Sequence, residues 1–298
     1  AFRSVKPHSL DEIDRHDADA FFSAIKSSEV LLHHPYQTFT STVTRFVELA
    51  AQDPKVLAIK QTLYRTSGDS PIMQALIEAA KSGKQVLAVI ELRARFDEQA
   101  NVRWAKKLED AGAHVVYGVL GLKTHAKASL VVRKEETGLT VYSHIGTGNY
   151  NPKTARIYDD LGIMSADPLL GQDLLKLFNQ LSGVLSTTEY SRLLVAPQGI
   201  RKSLLSMIER EQRNHLDGKP SQIRWKVNSL VDNQIIDALY SAAKAGVPIE
   251  LIVRGTCSMR LSKIAKHGNV KIRSILGRFL EHSRIYSFHN DGIREYYI

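Results

Sequence analysis

Gly121-Leu122-Lys123-Thr124-His125-Ala126-Lys127-Ala128-Ser129-Leu130-Val131-Val132 is the stretch on which the fold turns. A glycine-bounded lead-in runs into an alternating β segment, and His125 and Lys127 stand two residues apart in it. Period 2 places both side chains on one face of the expected strand. An imidazole beside an ammonium offers a nucleophile for phosphorus with an anion anchor already in place. The arrangement recurs at Leu280-Glu281-His282-Ser283-Arg284-Ile285-Tyr286, with His282 lying 157 residues after His125.

The repeat extends outward from these segments. Ala75-Leu76, Ala79-Ala80-Lys81 and Gly83 match Ala238-Leu239, Ala242-Ala243-Lys244 and Gly246, each pair 163 residues apart. A repeat this long predicts two similar units rather than a solenoid. In the first, Val56–Arg65 reads as a buried strand, and Ser70-Pro71 opens a helix that Gly83 closes. Val86–Leu92 is a strand delivering Arg93 and Arg95, Glu98–Ala111 a helix, and Val115–Tyr117 a strand. Further helices are expected over Asp17–Ser27, Thr40–Gln52 and Gly171–Ser182, and a strand closed by a Pro turn over Glu29–Tyr36. In the second half Ile223–Leu230 is a strand, Asp232 starts a helix, and Ile249–Val253 is a strand ending in Arg254. Alternating strands and helices predict an α/β chain: two tandem, pseudo-twofold related domains with mixed β-sheets flanked by helices. The expected boundaries are an arm over 1–29, a first domain over 30–196 and a second over 197–298.

Composition narrows the partners. Forty Lys and Arg against thirty-one Asp and Glu give a net charge of +9, which points to an anionic partner. Cys257 is the single cysteine. It excludes a disulfide within the chain and a Cys-based zinc site, and fits a reducing cytoplasm. No apolar run reaches the length of a membrane span. The chain lacks an initiator Met and ends on Tyr297-Ile298, so both ends read as cut.

Two histidine-bearing segments related by pseudo-symmetry predict one composite site. One histidine attacks phosphorus while the other donates a proton to the leaving oxygen or stabilises the transferred group. Lys127, Arg284, Arg65, Arg95 and Arg254 would neutralise phosphoryl oxygens. Arg65, Arg95 and Arg254 fall at strand C-termini, where α/β sheets bind ligands. His144-Ile145-Gly146-Thr147-Gly148-Asn149 follows the first segment. Its glycines allow close backbone approach, and Thr147 and Asn149 can hydrogen-bond catalytic groups. Neither G-x-x-x-x-G-K-[ST] nor a strand-linked G-x-G-x-x-G is present, so any use of ATP proceeds without a P-loop.

The H-x-K segment, the downstream G-x-G-N and the second H-x-[K/R] segment resemble the phospholipase D superfamily. Within it, longer stretches are similar to the bacterial polyphosphate kinases of the first type. They are Leu31–Tyr36, Ala58–Arg65, Glu91–Glu98, Gly121–Lys127, His144–Asn149, Lys153–Arg156, Val253–Gly255 and Arg278–Arg284. The resemblance implies two phospholipase D-like domains and reversible transfer of the ATP γ-phosphate to inorganic polyphosphate through a phosphohistidine, with Mg²⁺. It implies His125 as the phosphorylated residue, and His282 as the second catalytic histidine, in contact with nucleotide phosphate. Lys127 and His144 complete the catalytic set. Tyr158 and Arg254 match nucleotide contacts, joined by Arg284 and Asn149. Arg65 and Arg95 match the magnesium-site positions and read as phosphate clamps, since a guanidinium has no lone pair for a metal. ATP or ADP and polyphosphate are the implied partners, with no specific nucleic acid. The resemblance also implies a homo-oligomer and a cytoplasmic location, peripheral to the inner face of the membrane.

Three departures stand out. The family's two N-terminal domains are missing, the chain stops before a Ser-Ala-Asp stretch, and Met259–Lys266 is short. The piece is therefore expected to carry catalytic machinery without necessarily acting alone. The alternative is a phospholipase D-type phosphodiesterase or nuclease. It is disfavoured because Val132 occupies the acidic position of H-x-K-x4-D, and Arg284 stands where lysine is expected. A non-catalytic polyanion-binding module is a third reading, and the His125/His282 pair counts against it.

Overall fold

The computed structural model describes residues 4–64, 69–91, 98–119, 121–184, 189–264 and 268–298. The chain folds as two compact units, Ala1–Leu193 and Leu194–Ile298. The first contains β1 (Val30–His34), β2 (Val56–Leu63), β3 (Gln85–Ile90), β4 (His114–Val116), β5 (Ala128–Glu135), β6 (Gly138–Gly146) and β7 (Tyr158–Ser165). Its helices are α1 (His8–Asp11), α2 (Ala18–Ser27), α3 (Arg45–Gln52), α4 (Pro71–Lys81), α5 (Glu98–Asp110) and α6 (Pro168–Leu181). The strand order is β1-β7-β6-β5-β2-β3-β4. Strands β2, β3 and β4 run parallel, whereas β5, β6, β7 and β1 join by antiparallel pairings.

The second unit contains α7 (Ile200–Leu216), β8 (Ile223–Val227), α8 (Asn233–Ala245), β9 (Ile249–Val253), α9 (Leu261–Ile264), β10 (Val270–Arg273), β11 (Leu280–Glu281), β12 (Ile285–Phe288) and β13 (Glu295–Tyr297). Five of these strands form a sheet in the order β10-β9-β8-β12-β13. Its parallel β10-β9-β8 set is followed by antiparallel β12 and β13. This reproduces β4-β3-β2-β5-β6 of the first unit strand for strand. The 163-residue repeat is therefore a repeat of topology, and mixed sheets flanked by helices are what the alternation predicts.

Local chemistry explains the matched helices. A parallel strand pair needs a crossover, and α4 and α8 supply it. Ser70 caps α4 by accepting from the Met73 N–H at 3.4 Å, and Pro71 occupies its first turn. Asp232 caps α8 by accepting from the Ile235 N–H at 3.1 Å. Gly246 ends α8 at φ +105°, a left-handed conformation that a Cβ would strain. Each unit has its own apolar core. Ile59, Leu76 and Val131 are central to the first, and Ile236, Leu239 and Leu251 to the second.

Three boundaries differ from the sequence reading. β5 begins at Ala128, so His125 and Lys127 precede it rather than lie within it. The Thr62 hydroxyl accepts from the Ala128 N–H and donates to Ala126 O, both at 2.9 Å, in place of a strand ladder. His282–Arg284 likewise lie between β11 and β12. The helix expected over 40–52 opens as a π-helical turn, Thr40–Thr44, before α3. There the Thr42 hydroxyl bonds back to Thr38 O at 2.6 Å, the competition that threonine offers a regular helix.

Within the stretch read as an arm, α2 sends Phe21, Phe22 and Ile25 into the first core. Arg133, with its side chain 4% exposed, fastens this helix to the sheet. Its Nε donates to Asp53 Oδ2 at 2.7 Å, its Nη1 to Glu135 Oε1 at 2.8 Å and its Nη2 to Asp19 on α2. The Lys55 ammonium and the Arg133 guanidinium hold the Asp19 carboxyl below its usual range. Burial pushes Glu135 up, but hydrogen bonds from Tyr142 and Arg133 outweigh it and hold this carboxyl low.

Arg133→Met removes the guanidinium that pairs the buried Asp53 carboxylate, leaving it only the Lys55 N–H at 2.9 Å, and is expected to cost about 3 kcal/mol at neutral pH. Carboxyls with depressed folded pKa values contribute stability above their unfolded values and lose it as pH falls through the folded ones. Urea unfolding at pH 7 and pH 3 checks this: the gap between wild type and Arg133→Met should narrow at pH 3. An equal gap at both would contradict it.

Candidate active site

Three strand-end residues hold the segment that carries His125. Glu91 follows β3, and its Oε2 accepts from the Thr124 N–H at 2.8 Å. Thr62, in β2, binds the peptides on either side of Lys127. Tyr64 follows β2, with its ring centroid 5.0 Å from that of His125. The Lys127 and Lys123 ammoniums lie 5.1 and 5.5 Å from the Tyr64 ring centroid, within cation–π range. Lys127 is itself buried, and its Nζ lies 3.0 Å from His125 Nδ1 and 2.5 Å from His125 O. The sequence pairing of His125 with Lys127 is thus a real contact, made by a folded-back loop instead of a shared strand face. His125 is exposed, while its supports are buried.

The second unit repeats the contact. Arg284 Nη1 donates to His282 O at 2.8 Å and lies 3.3 Å from His282 Nε2. Arg254, which follows β9, donates from Nη1 to Glu281 O at 3.1 Å. Lys226 Nζ reaches Glu281 Oε2 at 2.6 Å and Ser283 Oγ at 2.5 Å. Sequence reasoning placed His282, Arg254 and Arg284 but passed over Tyr64, Thr62, Glu91, Lys226, Glu281 and Ser283. The available signal was their position at or beside strand C-termini.

His144 lies elsewhere. It is 3% exposed on β6, with Nδ1 2.7 Å from the buried Tyr150 hydroxyl. Burial, reinforced by repulsion from His34, pushes its pKa down to about 3. It lines a small cavity with His34, Asn149 and Asp160. His144 Nε2, His34 Nε2 and Asn149 Oδ1 are buried there without a hydrogen-bond partner. The glycines of this region make room for side chains, which differs from the backbone approach read from the sequence. A Cβ on Gly162 would stand 2.7 Å from His144 Nε2, and one on Gly148 2.7 Å from Asp160 Oδ2. Thr147 donates to Asp160 Oδ1 at 2.7 Å and so closes the hairpin. Tyr158 begins β7 and is half-buried. One residue on, Asp159 meets His33 at 2.9 Å. Arg65 and Arg95, read as magnesium-site residues, lie outside the described residues.

The family models for "Polyphosphate kinase C-terminal domain 1" and "Polyphosphate kinase C-terminal domain 2" match residues 20–187 and 193–298. The chain belongs to the polyphosphate kinase family. It is similar to the polyphosphate kinase of Streptomyces coelicolor, 55% identical over 97% of this chain and 39% of that protein. The Mycolicibacterium gilvum polyphosphate kinase is 56% identical over 96% of the chain and likewise 39% of its own length. The crystal structure of polyphosphate kinase from Porphyromonas gingivalis superposes with a TM-score of 0.85 at 38% identity, over 94% of this chain and 46% of that one. The chain therefore spans about two fifths of the curated relatives it matches. The phosphatidylserine synthase of Haemophilus influenzae, at 10% identity and a TM-score of 0.57, shares the fold. Among the described residues no helix is long and apolar enough to cross a membrane.

A buried histidine with a lowered pKa makes the fold acid-sensitive. Between about pH 6.5 and 3 the unfolded chain binds a proton at His144 that the folded chain does not. Stability should therefore fall as pH drops below about 6.5. In NMR the His144 ring should keep the shifts of a neutral imidazole from pH 8 to pH 4.5. A titration midpoint near 6.5 would contradict this burial.

Proposed function

We propose that this chain is the catalytic portion of an ATP:polyphosphate phosphotransferase in which His125 carries the phosphoryl group. The observation that carries the reading is the Lys127 ammonium 3.0 Å from Nδ1 of an exposed histidine whose loop is held by buried groups. In the first half-reaction a ring-nitrogen lone pair of His125 forms the N–P bond. The bond from the γ-phosphorus to its bridging oxygen breaks, and ADP leaves with that electron pair. In the second, the terminal oxygen of polyphosphate takes the phosphoryl group and the imidazole is restored. Lys127 balances the charge on the phosphoryl oxygens, which is the larger part of catalysing such a transfer. His282, with Arg284 and Arg254, supplies nucleotide-phosphate contacts, and Tyr158 a face for the base. His144 and Asn149 act from the interior by fixing the hairpin, because a histidine with a pKa of about 3 is a poor proton carrier near pH 7.

Magnesium is the cofactor the family resemblance implies. Among the described residues no cluster of three or more His, Cys, Asp or Glu side chains is arranged to hold a metal ion. Mg²⁺ that enters with a nucleotide needs only one or two protein ligands, so the ion would be held chiefly by the nucleotide's own phosphate oxygens. The net charge of +9 suits a polyanionic substrate, and equally a peripheral association with an anionic membrane surface. A homo-oligomer in the cytoplasm completes the proposal.

The full-length protein incubated with γ-labelled ATP and Mg²⁺ should acquire acid-labile, base-stable label on His125, and His125→Ala should abolish it. Unlabelled wild type, or label retained in His125→Ala, would contradict the reading. Release of a diester product would favour a phospholipase D-type reaction.

A further inference from the structure

The two units can be matched position by position from their hydrogen bonds. The Glu91 N–H bonds to Leu63 O and the Arg254 N–H to Val227 O, both at 3.1 Å. Tyr64 and Asn228 are therefore equivalent, each the first residue beyond its strand, and Thr62 matches Lys226. Their targets correspond as well. Glu91 holds the peptide of Thr124 and Arg254 that of Glu281, in each case the residue before the histidine. Thr62 and Lys226 hold Ala126 and Ser283, the residue between histidine and cation. The third pair meets the cation itself. Tyr64 presents its ring to Lys127. A guanidinium only donates hydrogen bonds, so the Asn228 side-chain atom facing Arg284 is the amide oxygen. It accepts from Arg284 Nε at 3.2 Å and Nη2 at 2.6 Å.

We propose that Asn228 is the positioning residue of the His282–Arg284 pair. This rests on the phosphotransferase reading for its functional consequence, though not for its geometry. One amide oxygen takes two N–H groups of a planar fork and so sets the plane of the guanidinium. With that plane set, Nη1 is presented to His282 O at 2.8 Å and to His282 Nε2 at 3.3 Å. Lysine offers a point charge that a ring face can hold, whereas arginine offers a fork that needs an acceptor in its plane. The difference between Tyr64 and Asn228 thus follows the difference between Lys127 and Arg284. Asn228 acts on the reaction through Arg284, the group its amide oxygen meets.

The test uses the full-length enzyme with Asn228→Ala, Asn228→Asp, Arg284→Ala and the Asn228→Ala/Arg284→Ala double variant. Asn228→Ala should lower kcat/KM for ATP about tenfold, the scale of losing a hydrogen bond to a charged group. Asn228→Asp keeps an acceptor in the plane and should stay within about threefold of wild type by the same scale. The double variant should be no worse than Arg284→Ala alone, since coupled residues are not additive. Multiplying effects, or Asn228→Asp as impaired as Asn228→Ala, would overturn the proposal. A readout independent of turnover is the rate of phenylglyoxal addition at Arg284, followed by mass spectrometry. It should rise several-fold in Asn228→Ala, with Arg254 unchanged, and remain at the wild-type rate in Asn228→Asp. An unchanged rate in Asn228→Ala overturns the clamp. A wild-type enzyme that transfers no phosphate instead overturns the functional reading, and the modification rates still decide the clamp.

Discussion

The hydrogen bond from the Thr124 N–H to the Glu91 carboxylate, 2.8 Å long, is the constraint on which the first half-site depends. On its β2 side the loop before β5 leaves the sheet and its peptides lose the ladder partners that a strand would give them, although Lys127 O still accepts from the Gly146 N–H of β6 at 3.1 Å. Buried peptide groups must still be satisfied. Residues at the ends of the parallel strands supply what the ladder does not, and in doing so they fix where His125 and Lys127 stand. The second unit solves the same problem with the opposite charge. There Arg254 donates to Glu281 O, because a carbonyl rather than an N–H is presented at that position.

The parallel crossovers are the working part of the fold. Each brings two strand ends side by side, and each strand end carries a group aimed at a histidine-bearing loop. The antiparallel strands serve differently. β6 and β7 bury His144, Asn149 and Asp160 behind the hairpin, with glycines 146, 148 and 162 leaving room for their side chains. α2 is fastened to the sheet edge by Arg133, so the chain before β1 is part of the first unit's core.

Much of this was legible in the residues. The capped helices Ser70-Pro71 and Asp232 and the strand–helix alternation each have a local cause and appear where the pattern put them, whereas the paired H-x-[K/R] segments recur in loops rather than on strands. The loop's holders were not legible, because Glu91 and Thr124 are 33 residues apart and Thr62 and Ala126 64 apart. Nothing local in either member signals the contact. The surroundings of His144 were illegible for another reason. H-I-G-T-G-N looks the same whether its glycines admit a ligand or a neighbouring side chain, and only the cross-strand Gly162 distinguishes them. The strand starts were set too early because His-x-Lys alternates like a strand, although the peptide groups of Thr124, Ala126 and Ala128 bond to side chains.

The most direct measure of the strand-end support is amide hydrogen exchange across 121–128 in wild type, Glu91→Gln, Glu91→Leu and Thr62→Val. Wild type should protect the Thr124 and Ala128 amides. Glu91→Leu should release Thr124 while sparing Ala128, Thr62→Val should do the reverse, and Glu91→Gln should fall between wild type and Glu91→Leu at Thr124. Exchange at Thr124 that is as slow in Glu91→Leu as in wild type would contradict the account.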